Sequence, residues 1–157
     1  MPSIRGVKYP HSILIEGSAD AHSQLYSVIE SFKDTHLLYK HKDDDRTLSD
    51  IISHALCTQY CWYTEELVLE NKTKKCACKA ELTIEKTLES IQKNLERTSR
   101  KWKQLSEKEL QTEIKTEWGQ IMSKELALFQ SIEHMMYHVG EICYIAGLGA
   151  FYKGTLG

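Results

Sequence analysis

No glycine falls between Gly17 and Gly119, and the only prolines are Pro2 and Pro10. Tight β turns draw on these two residues, because glycine supplies positive φ and proline presets the turn dihedral. So long a run without either leaves little room for an all-β fold and points to long helices. The chain has 157 residues, which suits one domain able to bury a sizeable core.

Apolar spacing divides the chain into four helices, expected near 20–40, 47–70, 83–105 and 120–147. Residues 1–17 read as an irregular N-terminal segment. The first helix has Asp20 as its N-cap and Leu25, Val28, Ile29, Phe32 and Tyr39 on one stripe, and it ends in the polar run 41–45. Thr47 followed by Asp50 is a variant of the capping box and opens the second helix. Residues 71–80, NKTKKCACKA, form a basic connector. Ten extended residues span at most about 33–36 Å, enough for a long crossover between helices two and three. In the third helix Ile84, Leu88, Ile91, Leu95, Thr98, Trp102 and Leu105 form one narrow seam. The stretch SEKELQTEIKTEWG reads as a short helix or an irregular crossing anchored by Leu110, Ile114 and Trp118. The fold class expected is all-α, a four-helix bundle.

The last helix, within Met122–Leu148, is apolar almost all round and stops at Gly147 and Gly149. It carries His134 and His138, whose spacing stacks them on one helical face. Two imidazoles so placed can share a metal ion. His54, in the second helix beside Ile51, Ile52 and Ala55, is the natural third ligand. Three neutral imidazoles make an open site for zinc, nickel or iron, whereas a lone histidine there would be an ordinary hydrogen-bonded core residue. Glu141 shares the face of His138, with Gln130 and Tyr137 beside it. It reads as a group supporting the ligands, a fourth ligand, a base, or a carboxylate at the rim of the bundle. Thr58, Cys61 and Glu65 share the face of His54. His22 and His36 read as partly buried structural residues, and His11 and His41 as surface ones.

Cysteine offers a rival site. Cys57 and Cys61 stand four apart on one helix, and Cys76 and Cys78 flank Ala77 in the connector. Four thiolates suit structural zinc, but the spacings are not a pair of CxxC knuckles. Lysines beside Cys76 and Cys78 would make those thiols reactive. The plainer reading makes Cys57, Cys61 and Cys143 small core residues and the connector thiols incidental. An odd total of five argues against a secreted disulfide framework.

Twenty Lys and Arg against 22 Asp and Glu give a net charge of -2, which argues against nucleic acid or an anionic membrane as partner. The opening residues lack a signal peptide's apolar core, so a cytoplasmic location is expected. The Glu-x-x-His motif of di-iron bundles, His-Glu-x-x-His, the Walker loop and the glycine-rich nucleotide fingerprint are all absent.

TLSDIISHALC at 47–57 and EHMMYHVGEI at 133–142 together resemble the DinB/YfiT-like superfamily of metalloenzymes. LSEKEL at 105–110 is similar to the family's lead-in to helix four. The resemblance implies a four-helix bundle with a long crossover after helix two. It also implies a divalent metal on His54, His134 and His138, nickel or zinc first, with iron and manganese as further candidates. The cysteine-rich connector is not part of the family pattern. Members often dimerise, so a homodimer is expected as one state. Some relatives are hydrolases or transferases that use a low-molecular-weight thiol, and a small molecule is the expected partner. Glu141 is then the candidate catalytic residue, orienting the nucleophile or taking its proton. The alternative is a non-catalytic metal-binding helical module.

Overall fold

The computed structural model describes residues 9–72, 76 and 78–154. It is a bundle of four main helices, as the breaker-free sequence requires, with one small hairpin added. Helix α1 spans His11–Glu30, so it begins well before Asp20. Residues 11–17, expected to be irregular, are helical, while residues 1–8 lie outside the described residues. Pro10, with φ -51, presets the entry, and Leu14, Ser18, Ala21 and Leu25 extend the buried stripe backwards. The helix ends ten residues before the expected 40, at Glu30. There the Ser31 hydroxyl donates to the Val28 carbonyl, and a 3-10 turn covers Asp34–Leu38.

Helix α2, Leu48–Cys57, has the anticipated capping box, with Thr47 and Asp50 satisfying each other's backbone N–H groups. It runs directly into π-helical turns over Thr58–Val68. Such wide turns are uncommon and tend to occur where function needs a helix face re-aimed. Helix α3, Ile84–Lys103, buries Thr87, Ile91, Asn94, Thr98 and Trp102. This face is displaced from the apolar seam, so Leu88 and Leu95 are only half-buried and Asn94 lies at the centre.

The ambiguous stretch resolves into a single turn, α4 (Glu107–Leu110), and a hairpin of β1 (Glu113–Lys115) antiparallel to β2 (Ile121–Ser123). Gly119, at φ 85, supplies the left-handed residue the turn needs. Leu110 and Ile114 are buried as expected, but Trp118 is 60% exposed and stacks on Trp62 at 5.5 Å. Helix α5, Lys124–Leu148, is capped by Ser123. It is not apolar all round, since Glu133, Tyr137, Gly140 and Tyr144 form an exposed face.

Helices α2 and α3 run parallel. At one end the Ile84 amide donates to Asp34 Oδ1 (2.8 Å) and the Ser49 hydroxyl to the Glu81 carbonyl. At the other, Trp102 Nε1 donates to Thr64 Oγ1 (2.9 Å) and Lys101 pairs with Glu65. The connector must therefore carry the chain back along the bundle, which is the expected crossover. Helix α5 packs against α2, its π-helical continuation and α1. That packing brings His54 opposite the histidines of α5.

Candidate metal centre

His54, on α2, and His134 and His138, on successive turns of α5, each offer a ring nitrogen, and these three atoms lie within 4.8 Å of one another. Ring centroids are separated by 4.4 Å (His134–His138), 4.9 Å (His54–His138) and 5.3 Å (His54–His134). His138 is buried, His134 half-buried and His54 exposed, so the cluster is reachable from solvent on the α2 side. The exposure of His54 departs from the sequence reading, which placed it on or near the buried face. Its neighbours Ile51, Ile52 and Ala55 turn into the core while the imidazole lies at the rim.

The hydrogen bonds fix the tautomer that matters. His138 Nδ1 is 2.7 Å from Glu141 Oε2, and a carboxylate there can only accept, so Nδ1 carries the proton. His138 Nε2, on the other side of the ring, faces Nε2 of His134 at 3.1 Å. The other nitrogen of His134, Nδ1, is buried and has no hydrogen-bond partner among the described residues. His54 Nδ1 lies 3.5 Å from the Thr58 hydroxyl. Burial, with the charge of His138 next, holds His134 at about 4 and pushes His54 in the same direction. Three imidazoles whose ring nitrogens converge within 4.8 Å are what a divalent cation takes, so the residues present fit such an ion.

Glu141 is held from both sides. Besides His138, it accepts from Arg46 Nη2 at 2.7 Å, and Arg46 in turn pairs with Asp44 at 2.9 Å. Burial raises the Glu141 carboxyl, but the hydrogen bonds from His138 and Arg46 outweigh it and leave the group below its ordinary value. A carboxylate on the outer nitrogen of a ligand histidine orients the ring and raises its basicity. Sequence reasoning missed Arg46, which stands 95 residues from Glu141 with no local pattern to mark the pairing.

The other histidines fall elsewhere. His22 is buried between the Ser18 carbonyl (2.7 Å) and Asn94 Nδ2 (3.0 Å). His36 stacks on Phe151 at 4.1 Å. His11, expected on the surface, is half-buried with Nε2 2.6 Å from the Trp102 carbonyl. Glu65, grouped with His54 by helical face, instead accepts from the Tyr60 hydroxyl at 2.7 Å.

The family model for the DinB family matches residues 12–149. The chain belongs to the DinB family. YfiT from Bacillus subtilis, described as a probable metal-dependent hydrolase with an unusual four-helix bundle topology, is 14% identical with a TM-score of 0.72. That likeness covers 98% of this chain and 94% of YfiT. A DinB-like protein of Bacillus subtilis, YjoA, is 15% identical with a TM-score of 0.69, over 87% of this chain and 92% of its own. A mycothiol-dependent maleylpyruvate isomerase is 14% identical with a TM-score of 0.62, over 85% of this chain and 61% of its own. At these identities the likeness establishes the DinB fold and nothing finer. No curated protein matches the chain in sequence. No helix among the described residues is long and apolar enough to cross a membrane.

Proposed function

We propose that this DinB-family protein is a metal-dependent enzyme, a hydrolase or a transferase of a low-molecular-weight thiol, with a divalent cation held by His54, His134 and His138. The observation that carries this reading is the convergence of three imidazoles with a solvent-reachable side at His54. Three protein ligands leave a position that a structural site would close with a fourth. A bound zinc or nickel ion would supply Lewis acidity toward a water or a thiol sulfur. Desolvation brings His134 to about 4 and moves His54 in the same direction, which favours the unprotonated nitrogens an ion would take. Glu141 would hold the Nδ1 proton of His138 and fix that ring, while Arg46 fixes the carboxylate. With both oxygens engaged, Glu141 acts through His138, and taking a proton from a nucleophile would require it to release one of these partners.

YfiT supports the hydrolytic branch and the mycothiol-dependent isomerase the thiol branch. The test is metal analysis of the wild type and of His54→Ala, His134→Ala and His138→Ala, followed by turnover assays on activated esters and on thiol–electrophile pairs. Each substitution is expected to remove one equivalent of metal and to leave the helical circular dichroism intact, since the core is apolar and not built around the ion. Unchanged metal content in all three variants would place the ligands elsewhere. Turnover of one substrate type chooses between hydrolase and transferase. A fully metallated wild type inert toward both is the non-catalytic binding module.

A further inference from the structure

The fold brings together four cysteines that lie far from any spacing motif. Cys57 and Cys61, both half-buried, stand at the α2 to π-helical junction, and Cys76 and Cys78 of the crossover connector lie against them. The four sulfurs lie within 4.8 Å of one another. Cys61 Sγ is 2.6 Å from Cys76 Sγ and 3.8 Å from Cys78 Sγ. A tetrahedral ion with sulfur ligands at about 2.3 Å sets neighbouring sulfurs about 3.8 Å apart. All four thiols are free, and only Cys143 of the five cysteines stands outside the group.

The surroundings fit an anionic centre. A divalent ion with four thiolates carries two negative charges. Arg97 Nη2 lies 3.7 Å from Cys78 Sγ, and its guanidinium is seated 3.9 Å from the centroid of the Tyr60 ring. Lys72 and Lys79 flank the connector cysteines in the chain, with Lys74 and Lys75 between them in the sequence. The connector also lacks an apolar anchor: among its described residues from 69 to 83 no side chain is buried. Hydrophobic burial therefore does not hold the described part of this strap, although the connector must run the length of the bundle to join two parallel helices.

We propose that Cys57, Cys61, Cys76 and Cys78 form a second metal site, a closed tetrathiolate centre for a single zinc ion, which fastens the crossover connector to helix α2. It stands independently of the reading given to the histidines. Soft thiolates select zinc over the hard cations, and four protein ligands leave no position for substrate, so the role is structural. On binding, each thiol gives its proton to solvent, four protons for one Zn2+, and four sulfur–metal bonds form with no change of oxidation state. The competing state is a Cys61–Cys76 disulfide, which takes up two of the four sulfurs and binds no ion.

The test uses the full chain, produced with zinc and purified without reductant. One zinc is expected to remain in His134→Ala and to be lost in the double variant Cys76→Ser, Cys78→Ser, both with unchanged helical circular dichroism. Cobalt loading is expected to give sulfur-to-metal charge-transfer bands in the wild type and in His134→Ala, and none in the double variant. Should the double variant misfold, Cys76→His keeps a zinc ligand and is expected to retain the ion with weaker charge transfer. The proposal is overturned if zinc content is the same in the double variant, if cobalt gives no charge-transfer band in the wild type, or if the intact mass shows two hydrogens fewer and a Cys61–Cys76 cross-link.

Discussion

Helix α2 and its π-helical continuation contribute to two clusters built on different plans. The histidine cluster joins two rigid core helices, and its buried member His138 is backed by Glu141 and Arg46. The cysteine cluster joins a helix to a connector with no buried side chain among its described residues, and its main polar neighbour is Arg97. One cluster presents three ring nitrogens with a solvent-reachable side, the other four soft sulfurs that would close a shell around an ion. Preorganisation by packing allows a site to leave a position open for chemistry. Where packing is missing, the ion itself must supply the constraint.

The largest expected effect separates the two sites. His134→Ala abolishes metal at the histidines and leaves thiolate-bound zinc intact, while Cys76→Ser with Cys78→Ser does the reverse. Metal counts on the two variants check this, and simultaneous loss of both ions in either one breaks the comparison.

The next effect concerns the buried network around His22, which reaches the cysteine cluster through Asn94 and Arg97. Burial, opposed by the Ser18 carbonyl and reinforced by Arg97, holds His22 at about 4. Asn94 also bonds Gln59 Oε1 and Arg97, so a charged His22 would sit among groups already satisfied. Because the folded value lies below the unfolded one, the unfolded chain binds the extra proton between about 4 and 6.5. The contribution is therefore complete above the unfolded value and is lost as pH falls toward the folded one, at up to about 1.4 kcal/mol per pH unit. Urea unfolding of metal-free protein at neutral and mildly acidic pH is expected to show a shallower acid loss in His22→Gln than in the wild type. Equal slopes would remove His22 as the source.

Glu141→Gln tests how far packing tunes the histidine site. Losing the carboxylate behind His138 is expected to weaken metal affinity about 10–100-fold and to reduce turnover, with the thiolate zinc unmoved. Arg46→Ala follows in the same direction with a smaller change. Full activity and affinity in Glu141→Gln would show that His138 needs no carboxylate.

The smallest effect is expected at Arg97→Gln. Its guanidinium stands at 3.7 Å from one sulfur, so thiolate zinc should weaken by no more than about tenfold, or about 1.4 kcal/mol. Zinc competition against a chromogenic chelator measures this, and an effect at the histidine metal instead would reverse the assignment.

Much of the scaffold follows from local rules. The Thr47–Asp50 capping box starts α2 where the sequence places it, since a cap needs only residues three apart. The connector's length made a crossover possible, and the parallel run of α2 and α3 requires one. The start of α1 was misplaced because Asp20 makes a good cap, yet the apolar stripe from Leu14 already continues through it. The hairpin after α4 was not legible, because three-residue strands carry too little alternation to read.

The sequence by itself determined four helices, the i, i+4 histidine pair and the DinB pattern, because periodicity and capping are encoded within a few residues. Tertiary structure decided what faces what. Arg46 meets Glu141 across 95 residues, and Cys61 of the π-helical turns meets Cys76 of the connector 15 residues on. Asn94 takes the centre of a face on which the apolar seam put Leu88 and Leu95. A helical repeat specifies that one stripe is buried, but the element packed against that stripe sets its final rotation and its partners. The two clusters therefore depend on helix packing and on the path of the connector, which no local spacing records.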